Sequence, residues 1–179
     1  MTDIHHRNDV ESPPSDSGAD YQKSMRVEAS ADALFDALTD VAGLTAWWTR
    51  ATGTADAGGQ IEFWFDPPQP CVMRVDQAVR PDLVQWTVTS CDFLPDWVGT
   101  RPTFTITRLD GDECELEFVH HGLTPELDCI EMCTRGWDHF IPSLRDHVES
   151  GHGRPHGSEA DRARHRPQAA ARNSASSSS

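Results

Sequence analysis

His120 is the residue whose type and setting could do chemistry. It alternates with Cys114, Leu116 and Phe118 along one run, while Glu113, Glu115 and Glu117 take the opposite parity. That pattern predicts a strand with the imidazole facing an apolar interior. Such surroundings disfavour the charged ring, so His120 could act as a hydrogen-bond anchor or a proton carrier, or could be a core histidine satisfied by local partners. His121 has the other parity and is expected outside. Cys129 and Cys133 lie four apart on one helical face, and with His120 or His139 could in principle hold zinc. They coincide with an apolar stripe, however, so neither a metal nor a redox disulfide is expected there. No Gly-x-Ser-x-Gly elbow, phosphate loop or dinucleotide fingerprint occurs, and no cofactor is expected. The carboxylates fall at turns and outward positions, where they read as solvation.

Aromatic residues are the other resource. Trp47 and Trp48 follow a helical run over residues 31–40, and each ring can hide roughly 150–250 Å², worth about 4–6 kcal/mol as an upper figure. Phe63, Met73, Trp86, Phe104 and Phe118 take inward strand parity, and Cys133 and Trp137 fall on the stripe of a terminal helix. Together with Trp47, Trp48 and His120 they form the candidate lining of an interior cavity, or equally a solid core. Trp64 has the wrong parity for that lining.

The elements that must position these groups are legible in turn signals and periodicity. Residues 21–29 read as a strand, and Ser30 as an N-cap with Asp32 in the positive first turn of the helix after it. Gly58-Gly59 precedes a strand with Ile61, Phe63 and Phe65 inward. Met73, Val75 and Val79 then pair with Val84, Trp86 and Val88 across the turn signal Arg80-Pro-Asp82 as a hairpin. Residues 92–99 read as a loop, Phe104 and Ile106 as strand, and Asp110-Gly111-Asp112 as a tight turn. Cys133, Trp137, Phe140 or Ile141, Leu144 and Val148 describe an amphipathic helix of about 20 residues, bent but not broken at Pro142 and ended at Gly151.

One domain fits 179 residues with 37% hydrophobic content. Residues 1–20 and 152–179 lack periodic apolar positions and are expected to be disordered tails around a domain over 21–151. The net charge of −14 is concentrated in the domain, which disfavours nucleic acid and anionic membranes as partners. No secretion signal or membrane-spanning stretch is evident. The five cysteines form an odd set without disulfide spacing, as expected of reduced core thiols in the cytoplasm.

Val27-Glu-Ala-Ser-Ala-Asp-Ala-Leu-Phe-Asp-Ala-Leu-Thr-Asp40 followed by Trp47-Trp48 resembles the opening of START-like (SRPBCC, Bet v 1-like) helix-grip domains. The branch is that of activators of heat-shock protein 90 ATPase and polyketide cyclase-like proteins. Gly58-Gly-Gln-Ile-Glu-Phe63, Arg80-Pro-Asp-Leu-Val-Gln-Trp86, Phe118-Val-His120-His-Gly122 and Gly136-Trp137 follow in the family's order over residues 24–150. The resemblance implies an α+β fold with a curved antiparallel sheet wrapped around a long C-terminal helix, two short helices after the first strand, and a cavity between sheet and helix. It implies a protein that encloses a small apolar or amphipathic molecule, without requiring catalysis. The alternative is a cyclase- or hydrolase-type enzyme with His120 as acid or base, needing a second inward polar group such as Gln85, Gln77 or Arg74. A further alternative is a co-chaperone-like protein that stimulates a heat-shock ATPase. It would act through a protein partner, though this sequence lacks an obvious basic docking face.

Overall fold

A computed structural model describes residues 20–164. Strand β1 (Tyr21–Val27) leads into helices α1 (Ala31–Thr39) and α2 (Val41–Trp47). Ser30 Oγ accepts from the Ala33 amide and Asp40 Oδ1 from the Ala42 amide, so each short helix opens on a side-chain cap that satisfies one free donor. Strands β2 (Arg50–Gly53), β3 (Gln60–Trp64), β4 (Cys71–Val79), β5 (Leu83–Cys91), β6 (Arg101–Arg108) and β7 (Cys114–His121) follow, and helix α3 (Ile130–Ser150) closes the fold. All strand pairings are antiparallel, in the order β1-β7-β6-β5-β4-β3-β2.

The α+β helix-grip expectation therefore holds, including the two short helices. The alternation of β7 is as its sequence requires: Cys114, Leu116, Phe118 and His120 are buried while Glu115 and Glu117 are exposed. Helix α3 runs on through Pro142 and ends at Gly151, whose φ of 81° is the left-handed C-terminal cap that glycine adopts without strain.

Two expectations need correction. Even spacing groups Val79 with Met73 and Val75 on one strand face, but it is half exposed at 50% while they are buried. The β4–β5 ladder shifts register between Val75 and Gln77, and one slipped residue turns every later side chain to the other face. Residues 152–164, expected to begin a loose C-terminal tail, are placed against the domain. Ser143 Oγ, fully buried on α3, donates to the Trp47 carbonyl and accepts from the Arg154 amide. The His156 amide donates to the Trp48 carbonyl. A fourth helix, α4 (Glu159–Ala163), then places Asp161 in a buried position. A β-carbon on Gly153 would come within 2.5 Å of the Ala46 carbonyl oxygen, so the segment lies flat on the end of α2. Of the expected N-terminal tail, all but Asp20 lies outside the described residues, as do residues 165–179 of the expected C-terminal one.

Ser143 thus ties α3, α2 and the C-terminal segment together. Ser143→Ala should lower stability by about 1–3 kcal/mol in urea unfolding, the cost of leaving buried partners unpaired. It should also speed amide hydrogen exchange at Arg154 more than at the β7 amides.

Candidate functional site

A half-open cleft of about 840 Å³ lies at one end of the interface between sheet and closing helix. Helix α3 supplies Cys133, Gly136, Trp137 and Phe140, with Met132 and Arg135 at the rim. Facing them are Phe65, Asp66 and Pro67 after β3, Cys71 and Cys91 on paired strands β4 and β5, and Phe93, Leu94 and Trp97 from the β5–β6 connection. His156 and Arg164 enter from the C-terminal segment, and Trp48 forms part of the wall.

Trp48 marks where cleft gives way to solid core. Its ring stacks on Trp47 (centroids 5.7 Å, planes 15° apart) and lies parallel to Trp86 (6.2 Å, 5°). It meets Phe63 at 4.4 Å and Trp137 at 5.0 Å. Behind it, Trp86, Phe104 and Phe118 continue an unbroken chain of ring contacts. Of the residues expected to line a cavity, the structure brings Trp48, Cys133 and Trp137 to the cleft. Trp47, Phe63, Met73, Trp86, Phe104, Phe118 and His120 are not among its walls and sit in the packed core, each almost fully buried. Inward parity put them between sheet and helix, but there the rings fill the space against each other.

The walls not foreseen come from connections, from the ends of β4 and β5, from the start of α3 and from the C-terminal segment. Phe65 has the inward parity of Phe63 but stands just past the end of β3, Trp97 sits on a 3₁₀ turn (Pro95–Trp97), and Gly136 has no side chain to notice. The C-terminal walls gave no apolar signal.

His120 is fully buried and both ring nitrogens are engaged. The Trp137 indole N–H, which can only donate, lies 3.0 Å from Nδ1. Nδ1 is therefore the acceptor, and Nε2 carries the proton it directs at Thr100 Oγ1, 2.8 Å away. Thr100 in turn donates to the Trp97 carbonyl at 2.6 Å. Burial, with a smaller contribution from His121, pushes the His120 pKa down to about 3, so the ring stays neutral. The chain runs from α3 through β7 to the 3₁₀ turn, and it holds Trp137 and Trp97 stacked at 6.1 Å with planes 4° apart, both in the cleft wall. Gly122 is the glycine this arrangement requires: its φ is 95°, and a β-carbon there would come within 2.9 Å of Thr100 Cγ2. The polar groups considered as partners for His120 lie elsewhere. Gln77 donates to Gln85, Gln85 donates to Thr103, and Arg74 pairs with Asp76.

Charge at the mouth is mixed. His156 lies between Asp66 (3.1 Å) and Asp161 (3.5 Å), and Arg164 pairs with Asp161 at 2.8 Å while lying over the Phe140 ring. Burial raises the Asp161 pKa, but the Gly157 amide, Arg164 and His156 outweigh it and leave it below the usual carboxylate range. Among the described residues, no cluster of His, Cys, Asp or Glu could hold a metal ion.

A seven-stranded antiparallel sheet closed by a long C-terminal helix, with a cleft at their junction, defines a helix-grip domain. The chain belongs to the family described as activator of Hsp90 ATPase homolog 1-like protein, whose model matches residues 28–149. Among solved structures it is similar to the Aha1 dimer from Colwellia psychrerythraea, at 26% identity over 74% of this chain and 97% of that one, with a TM-score of 0.64. An Hsp90 activator from Plasmodium falciparum shares the fold at 16% identity, 75% and 97% coverage and a TM-score of 0.60. CalU16 from Micromonospora echinospora shares it at 16% identity, 71% and 72% coverage and a TM-score of 0.57. No curated protein matches the sequence. No helix among the described residues is long and apolar enough to cross a membrane.

The depressed His120 pKa has a consequence for stability. Above the ordinary value of 6.5, native and unfolded chains both hold the ring neutral. As pH falls below 6.5, the unfolded chain takes up a proton that the native state refuses until about pH 3, so stability is lost across that window. Between about pH 7.5 and pH 5 the wild type should lose about 2 kcal/mol more than His120→Gln in urea unfolding. Equal losses would contradict the neutral, buried assignment.

Proposed function

We propose that this protein binds a small apolar or amphipathic molecule in the cleft between α3 and the β3–β4 and β5–β6 connections. The observation that carries the reading is the cleft itself: about 840 Å³, walled by Trp48, Phe65, Phe93, Trp97, Trp137 and Phe140. Small-molecule sites typically measure roughly 300–1,000 Å³ and are mostly apolar with a few polar groups. Arg135, exposed at the rim, would favour a ligand whose polar end is acidic. Gly136 supports the same reading. Glycine inside a helix costs about 0.5–1 kcal/mol relative to alanine, yet here it stands in the cleft wall, where an added β-carbon meets no atom within 4 Å. Space is kept where a side chain would fill it.

The enzymatic alternative draws no support from His120, which is not among the cleft's lining residues and whose two nitrogens are both occupied by protein partners, Trp137 and Thr100. The co-chaperone alternative is favoured by the family description and by the likeness to the Plasmodium falciparum Hsp90 activator. Its test is stimulation of an Hsp90-type ATPase by the purified protein. We place the protein in the cytoplasm on its cysteine usage, since five free thiols suit a reducing compartment.

Titration with the apolar fluorophore anilinonaphthalene sulfonate tests the binding reading. Wild type should bind it saturably, and Gly136→Phe should weaken binding at least about tenfold, or about 1.4 kcal/mol. The thermal midpoint should not fall, because the substitution removes a helical glycine. Undiminished binding by Gly136→Phe would overturn the assignment.

A further inference from the structure

Two of the cleft's wall residues are cysteines directly opposite each other. Cys71 opens β4, Cys91 ends β5, and the antiparallel register pairs them Cα to Cα. Both border the cleft, but only Cys91 keeps accessible surface, 2% against none for Cys71, so Cys91 is the sulfur a small reagent in the cleft meets and Cys71 stands behind it. Directly opposed residues on antiparallel strands lie about 4.5–5.5 Å apart at Cα, within the 4.4–6.8 Å that a disulfide spans, so the pair can be joined without moving the strands apart. From these positions we infer that Cys91 and Cys71 form a reversible dithiol site that reacts with small disulfides entering the cleft, Cys91 attacking and Cys71 resolving. The inference needs no bound apolar ligand and stands apart from the binding reading.

The two sulfurs are not equivalent. A hydrogen bond from Cys71 to Cys91, together with burial, raises the Cys71 pKa. The same bond, assisted by the Leu94 amide, lowers that of Cys91 against the opposing effects of burial and Asp92. The more easily ionised sulfur is the better attacking group at neutral pH. Cys133 shares the cleft, but burial and its contact with Cys129 push its pKa up to about 12, and its sulfur accepts the Trp97 indole N–H at 3.1 Å. It remains a thiol.

The chemistry balances with the disulfide as oxidant. The Cys91 thiolate attacks one sulfur of RSSR, the S–S bond breaks, and the departing thiolate takes the proton Cys91 has lost, leaving as RSH. Cys71 then gives up its proton and attacks the Cys91 sulfur, expelling the second RSH. The dithiol loses two electrons and two protons, and RSSR is reduced to two thiols. Intracellular disulfides of this kind are transient and sensory or catalytic rather than structural.

Hydroxyethyl disulfide, small and uncharged, is the probe. Incubated with the folded protein, it should yield a species lighter by two hydrogens, and peptide mapping should join Cys71 to Cys91. Thiol reductant should restore the starting mass. Cys71→Ser should stop at one hydroxyethylthio group on Cys91, and Cys91→Ser should give no cross-link. Adducts accumulating on half-buried Cys129 while wild-type Cys71 and Cys91 stay reduced would overturn the inference, and so would a Cys91–Cys133 linkage. Both readouts are taken on wild type, so they hold even if a variant folds poorly.

Discussion

One buried hydrogen-bond chain holds the cleft in shape. Trp137 on α3 donates to His120 on β7, His120 to Thr100 at the mouth of β6, and Thr100 to the carbonyl of Trp97. Each link is made by a group that would otherwise be buried without a partner, which fixes the tautomer and sets the two indoles in parallel. The imidazole is thus a positioning group: it does not itself line the cleft, but from behind the wall it touches Trp137 and Trp97 and sets the spacing of those two rings. Its neutrality matters as much as its geometry, since a protonated ring could no longer accept from Trp137.

Sheet and helix are not separated by a hollow running their full length. From Trp48 inward, the rings of Trp47, Trp86, Phe63, Phe104 and Phe118 pack parallel, tilted or edge to face and close the interior. The cleft opens at the end where α3 begins, and there the walls come from connections, from the ends of β4 and β5, from the start of the helix and from the segment after Gly151. Stability and binding are therefore divided along one axis, with Trp48 at the boundary. The segment over residues 152–164 belongs to both halves. Its backbone is tied to Trp48 and Ser143, and its Arg164 lies over Phe140 at the cleft.

Strand parity and helical stripe made most of this fold legible in the sequence. The glutamates of β7 placed His120 inside, and the stripe from Cys133 to Val148 with Gly151 behind it outlined α3. What escaped has physical reasons. Val79 turned outward because a bulge shifted the register, and nothing in side-chain alternation records a bulge. The C-terminal segment is held by backbone amides donating to Ser143 Oγ and to the Trp48 carbonyl, contacts to which its Arg, Gly, Pro and His composition is silent. The site was only partly legible for a related cause. Inward parity identifies residues between sheet and helix, but whether rings there meet one another or leave a gap depends on the curvature of the sheet and the course of its connections. Trp97 on a loop and Gly136 without a side chain carry no parity at all.

A cleft bounded by Trp48 in front of a closed core is tested most sharply by following the six tryptophan indole N–H signals in a heteronuclear NMR titration with a small apolar probe. Trp48, Trp97 and Trp137 should shift together and saturate, while Trp47 and Trp86 stay in place. Shifts at Trp47 and Trp86 with none at Trp97 would place the ligand in the interior and contradict the claim.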